Sequence, residues 1–325
     1  MSASRDLLLA FLLPCLPLSA ASTWDDPYTR AYMAAQVREQ GPWAPPDWID
    51  AEQAQALRGM EADGPRRGPL VHAASAFVYD LDRGEVLLSR RADERRPVAS
   101  LTKVVSSLAF ASFDPDLERE ACIDYEQRPT RNGARSKLDT GDCAQAWDFL
   151  GAALVASDNR AAYALAASAG RSVDELVAQM NQVSADLGMG LSSWVDPSGL
   201  EDENLSTARD LARATVALAS IPELQIAASA PSWDLHRDGR EVRRLFSTNR
   251  LIERPDLEFV AAKTGYTDTA RYCLTALVVT EGGRRLVVTL LGAEGKGTRW
   301  ADLERIVDWA DRNDVPDEFV ADADR

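Results

Sequence analysis

Ser100 and Lys103 stand three residues apart in the stretch PVASLTK, at the head of an apolar run. On a helix that spacing puts both side chains on one face. A serine in the first turn lies where backbone N–H groups point outward and favour developing negative charge. Val104, Val105 and Leu108 make the surroundings apolar, so desolvation favours a neutral Lys103 amine able to take the Ser100 hydroxyl proton. A helix-capping serine with a snorkelling lysine would give the same tetrapeptide, and a Ser-x-x-Lys arises about once by chance in a chain of this size.

Two further clusters change the odds. Ser157-Asp158-Asn159 interrupts two helical patterns, where a hydroxyl and an amide can project into a cleft. Lys263-Thr264-Gly265 ends one strand-like run and precedes another; the lysine offers charge to a carboxylate and the glycine lets a substrate backbone come close. Histidine chemistry has little support, because His72 and His236 are the only histidines and both flank strand-like segments. No cysteine or histidine spacing suggests a metal site, and no cofactor motif is present.

Around these residues the sequence alternates between strand and helix grammar. Ala73 to Asp80 and Glu85 to Ser89 flank the turn Asp82-Arg83-Gly84 and predict a hairpin. Helical patterns cover 100–111, 144–156, 160–169, 172–187, 207–219 and 297–311, with Ser172 and Glu175 forming a capping box. Strand-like runs occupy 241–247, 258–263, 271–280 and 286–291. Strands at both ends with helices between them predict an α+β fold, a mostly antiparallel sheet covered by helices.

The whole chain has 325 residues and a net charge of −15, which disfavours nucleic acid and anionic membranes as partners. Arg5, the apolar run Leu7 to Leu18 and Leu18-Ser19-Ala20 predict a signal peptide over 1–20, hence export to the periplasm or beyond. No later segment reaches the length of a membrane span. Residues 21–69, with six prolines and Trp24, Trp43 and Trp48, read as an arm and linker clamped by its aromatics. The main domain is expected over 70–313 and an acidic tail over 314–325. In an exported chain Cys122 and Cys143 could close a loop, whereas Cys273 reads as a packed thiol.

The order Ser-x-x-Lys, Ser-Asp-Asn, Lys-Thr-Gly is that of the penicillin-binding proteins and class A β-lactamases. From about residue 72 to about 311 the sequence resembles the D-alanyl-D-alanine carboxypeptidase family, the low-molecular-mass penicillin-binding proteins. SAFVYDLDRGEVLLSRRADERRPVASLTK, MNQVSADLGM, WVDPSGL, LSTARDLA, STNRLI and KTGYTDTARYCL carry the likeness beyond the short motifs.

The resemblance implies a transpeptidase-like fold and an acyl-enzyme on Ser100, with Lys103 as base. Ser157 would relay a proton to the leaving amine, and Asn159 would fix Lys103 and the substrate amide. Lys263 and Thr264 would hold substrate oxygens, Gly265 would admit the substrate backbone, and the N–H groups of Ser100 and Tyr266 would form the oxyanion hole. The implied substrates are peptidoglycan stem peptides, with β-lactam antibiotics as covalent inhibitors.

Departures from the family pattern occur at Ala270-Arg271, where Ala-Gly is common, and at Glu294, where a basic residue helps grip a terminal carboxylate; Lys296 and Arg299 lie close by. The short C-terminal end resembles the endopeptidase branch, which cuts D-alanyl-diaminopimelate cross-links, so carboxypeptidase and endopeptidase both stand. A class A β-lactamase is the enzymatic alternative, although no Glu-x-x-Leu-Asn pattern surrounds Glu201 or Glu203. A non-catalytic peptidoglycan-binding module is the alternative of another class.

Overall fold

Alternation of apolar side chains on both faces makes the central sheet a partition between two cores. The computed structural model describes residues 51–62, 68–124, 136–237 and 240–313. The expected signal segment, Trp24, Trp43, Trp48 and the acidic tail lie outside the described residues. Among the described residues helix α1 (Ala51–Gly59) comes first, followed by strands β1 (Ser75–Asp80), β2 (Glu85–Arg90) and β3 (Arg96–Pro97). A 3-10 turn, Ala99–Leu101, leads into α2 (Thr102–Ala111). Next come β4 (Glu120–Cys122), β5 (Cys143–Gln145), α3 (Ala146–Leu154), α4 (Asn159–Ser168) and α5 (Val173–Asp186). The chain continues through β6 (Leu205–Ser206), α6 (Ala208–Ala219), α7 (Pro222–Ser229), β7 (Ser232–Arg237) and β8 (Arg240–Phe246). It closes with β9 (Leu257–Thr267), β10 (Arg271–Thr280), β11 (Arg285–Ala293) and α8 (Thr298–Arg312).

The main sheet is antiparallel, in the order β2-β1-β11-β10-β9, so strands from both ends of the sequence meet at the β1–β11 pair. Phe77, Tyr79, Val287 and Leu291 face the helical core, while Ala76, Val78, Leu286, Val288 and Leu290 face α8. Helix α2 lies inside the helical core, every residue from Thr102 to Phe110 being buried. Its burial between the sheet and the other helices fixes the end that carries Ser100 and Lys103. Helix α1 contributes Ala54, Leu57 and the following Met60 to the same core. Arg209 secures it by donating to the carbonyl oxygens of Met60 and Ala62.

The capping box at Ser172 and Glu175 and the Thr207 cap on the Asp210 N–H form as their sequences predict. The sequence pattern predicts neither helix α7 nor strand β7. Pro222 at the start of α7 and the short apolar spacing of β7 leave little periodicity to read. Lys263-Thr264-Gly265 lies within the single strand β9 rather than between two runs. Pairing with β10 carries β9 through the motif as far as Thr267.

Cys122 and Cys143 face each other across β4 and β5 and form a disulfide at a sequence separation of 21. Cys273 is free and buried, and burial pushes its thiol up to about 11, away from the thiolate that would react. Replacing both bridged cysteines by serine is expected to lower stability by about 3 kcal/mol, through the freedom regained by the unfolded loop. Denaturant unfolding of the oxidised protein and the variant checks this.

Candidate active site

Four elements converge at the head of α2. The 3-10 turn presents Ser100, and Lys103 follows in the first turn of the helix. Lys103 is wholly buried, and its ammonium donates to Ser100 Oγ at 3.0 Å, Asn159 Oδ1 at 2.7 Å and the Ser198 carbonyl oxygen at 2.7 Å. Burial lowers its pKa to about 8, opposed by the nearby carboxylates Asp196 and Asp158. A lysine so placed reaches its neutral form far more readily than one in water.

Ser157 and Asn159 come from the break between α3 and α4. Asp158 accepts from the Ala161 N–H at 3.1 Å and caps α4, while also accepting from Ser136 Oγ at 2.7 Å and the Lys137 N–H. The short run thus divides its labour: the middle residue builds the turn and its neighbours face the cleft. Ser157 has φ of 59°, and Ala99, beside Ser100, has φ of 50°. Both occupy the left-handed region that side chains other than glycine rarely adopt.

Strand β9 supplies the third wall. It is an edge strand of the main sheet, paired on one side with β10, so part of its backbone can meet a peptide. Lys263 is buried and donates to Ser157 Oγ at 2.8 Å and to the Thr264 carbonyl at 3.0 Å. Burial, with the cations Lys103 and Arg299 beside it, holds its pKa well below the usual lysine range. Thr264 donates its hydroxyl to Thr248 Oγ1 at 2.7 Å. At Gly265 a Cβ would come within 2.8 Å of the Val98 carbonyl and 3.1 Å of the Ser100 nitrogen. Tyr266 follows, half its ring surface open to solvent and stacked near Tyr272 with ring centroids 4.3 Å apart.

Hydrogen bonds thus join Lys103 to Ser100 and Asn159 and Lys263 to Ser157, while Thr264, Gly265 and Tyr266 follow Lys263 along β9. Other residues at the site went unrecognised. Asp196 accepts from the N–H groups of Ser198 and Gly199 at 2.9 and 3.0 Å and from Asn204 Nδ2 at 2.7 Å, tying the turn whose carbonyl holds Lys103. The Asp-Pro-Ser-Gly run within WVDPSGL signals such an Asx turn. Gly199 has φ of 84°, and a Cβ there would lie 1.9 Å from the Ala99 carbonyl oxygen. Only glycine permits that approach. Thr248, beyond β8, carries no such local signal.

The two departures also find their places. Arg271 adopts φ of 60°, the conformation for which glycine is the easier residue. Arg299 lies buried behind β9 and donates to the carbonyl oxygens of Gly265 at 2.9 Å and Cys273 at 3.0 Å. A basic group thus adjoins the site from α8, with Glu294 preceding it. Among the described residues, neither Glu201 nor Glu203 hydrogen-bonds to Ser100 or Lys103, and no group of three possible metal-ligating side chains occurs.

The profile of the D-alanyl-D-alanine carboxypeptidase family matches residues 63–295, most of the chain and all three motifs. The chain belongs to that family. It is a serine-type D-alanyl-D-alanine peptidase, a hydrolase whose relatives include carboxypeptidases and endopeptidases. It is 28% identical over 262 residues to a D-alanyl-D-alanine endopeptidase of Escherichia coli, covering 80% of this chain and 84% of that protein. With the D-alanyl-D-alanine endopeptidase of Pseudomonas aeruginosa it shares 32% identity over 244 residues, or 75% of this chain and 78% of the other. The crystal structure of a D-alanyl-D-alanine carboxypeptidase from Mycobacterium tuberculosis superposes with a TM-score of 0.68 at 29% identity, covering 77% of this chain and 96% of that one.

Gly265→Ala is expected to leave the fold intact and to slow acylation of Ser100 about 100-fold, comparable to the loss of one oxyanion-hole donor. The added methyl would displace β9 from the Ser100 N–H. Stopped-flow acylation with a chromogenic β-lactam, alongside thermal unfolding, checks both halves.

Proposed function

We infer that this family member cleaves peptidoglycan stem peptides through an acyl-enzyme on Ser100. The 3.0 Å hydrogen bond between Ser100 Oγ and a fully buried Lys103 carries the reading. Neutral Lys103 takes the Ser100 proton as Oγ bonds to the scissile carbonyl carbon. The backbone N–H groups of Ser100 and Tyr266 receive the negative oxygen. The C–N bond then breaks, and the proton passes from Lys103 through Ser157 to the departing amine. Water attacks the ester, its proton returns through Lys103 to Ser100 Oγ, and the peptide acid leaves.

The paired lysines give substrate binding a part in starting this sequence. A carboxylate entering beside Lys263 and Thr264 favours the charged form of Lys263. That charge opposes protonation of Lys103, since two neighbouring ammonium groups repel each other. Asn159 holds Lys103 in place through its carbonyl, leaving its amide nitrogen for the substrate. Periplasmic or extracellular action agrees with the apolar N-terminal stretch and with the cell-wall substrate.

Benzylpenicillin, whose ring amide imitates the scissile bond, is expected to form one covalent adduct with the wild-type protein and none with Ser100→Ala. Intact-mass spectrometry reads this, and an unmodified wild type would overturn the mechanism. Because the protonated lysine is inactive as a base, kcat/KM should fall about tenfold per pH unit below a midpoint of about 8. A pH series with a D-alanyl-D-alanine peptide measures the limb; a midpoint in the ordinary lysine range would exclude Lys103 as the base.

A further inference from the structure

Beside the cleft lies a cavity of about 510 Å³ that the mechanism above leaves unused. It is lined by Lys137, Ala156, Arg243, Arg244, Phe246 and Thr248, together with Leu245. Two of these touch the catalytic machinery directly. Ala156 precedes Ser157, and Thr248 accepts from Thr264 while its N–H donates to the Val155 carbonyl at 3.1 Å. The cavity therefore adjoins Ser157 and Thr264 through Ala156 and Thr248. That is the side on which a leaving amine must receive its proton.

The lining is cationic in a chain of net charge −15. Arg244 is neutralised by Asp234, to which it donates at 2.6 and 2.8 Å. Arg243 instead donates to the Lys137 carbonyl, which orients its guanidinium without cancelling its charge. The Lys137 side chain is exposed and makes no hydrogen bond or ion pair among the described residues. Phe246 lies 69% exposed beside them, an apolar surface for the carbon skeleton of a peptide. A terminal D-alanine ends at its own carboxylate, which Lys263 and Thr264 can receive, and extends no further. A cross-linked leaving group continues as a second, acidic peptide.

We propose that the Lys137–Arg243–Phe246 cavity binds the carboxylates of the strand released from a peptidoglycan cross-link, making this protein an endopeptidase. The proposal rests on the acyl-enzyme reading above and gives its leaving-group side a defined occupant. Long-range attraction to the cavity adds to selection of an acidic partner strand, and it weakens with salt.

The test compares cross-linked muropeptide dimers with a pentapeptide ending in D-alanyl-D-alanine. Lys137→Gln and Arg243→Gln are each expected to lower kcat/KM for the dimer about tenfold, leaving the pentapeptide rate and benzylpenicillin acylation unchanged. Arg243→Lys should restore part of the dimer activity, and dimers amidated on the acceptor strand should not distinguish wild type from variant. Equal losses on both substrates, or an undiminished dimer rate in Lys137→Gln, would overturn the proposal. Failure of benzylpenicillin to acylate the wild type would instead strike the underlying mechanism.

Discussion

An ammonium removed from water must hand its hydrogens to protein acceptors or give up its charge. Lys103 faces that requirement with no exposed surface, and its acceptors come from three separate parts of the chain: Ser100, Asn159 and the Ser198 carbonyl. Each bond therefore fixes one segment against another. The same burial that joins the segments also brings the amine close to neutrality at mild pH. Structural cohesion and a ready supply of the neutral amine are two results of one desolvation.

The neighbouring backbone is arranged to permit this crowding. Gly199 passes so close to Ala99 that a methyl group would collide with its carbonyl, and Gly265 brings β9 nearly as close on the other side. Between them Ala99 and Ser157 are held in left-handed conformations. Strain of this kind persists only where the surroundings determine the chain path. Here the buried α2 and the antiparallel β1–β11 and β9–β10 pairs supply that determination.

Much of this was legible in the sequence because the relevant signals are local. Ser100 and Lys103 share a helical face through spacing alone, the capping box declares the start of α5, and near-continuous apolar runs separated by a Gly-Gly turn mark β10 and β11. What escaped notice depends on long-range contact. Thr248 becomes part of the site only because β8 delivers it to Thr264, and Arg299 only because α8 packs behind β9. Strand β9 ran past its expected end because its pairing with β10 outweighed the turn character of Thr-Gly.

The disulfide bears on the turn of residues 157–159 through its position in the chain. The loop it closes delivers Ser136 and the Lys137 N–H to Asp158, the residue that caps α4 and seats Ser157 and Asn159 on either side. The bridge thus restrains the two ends of a loop that also meets Asp158, so one covalent link between β4 and β5 is felt at the turn of residues 157–159.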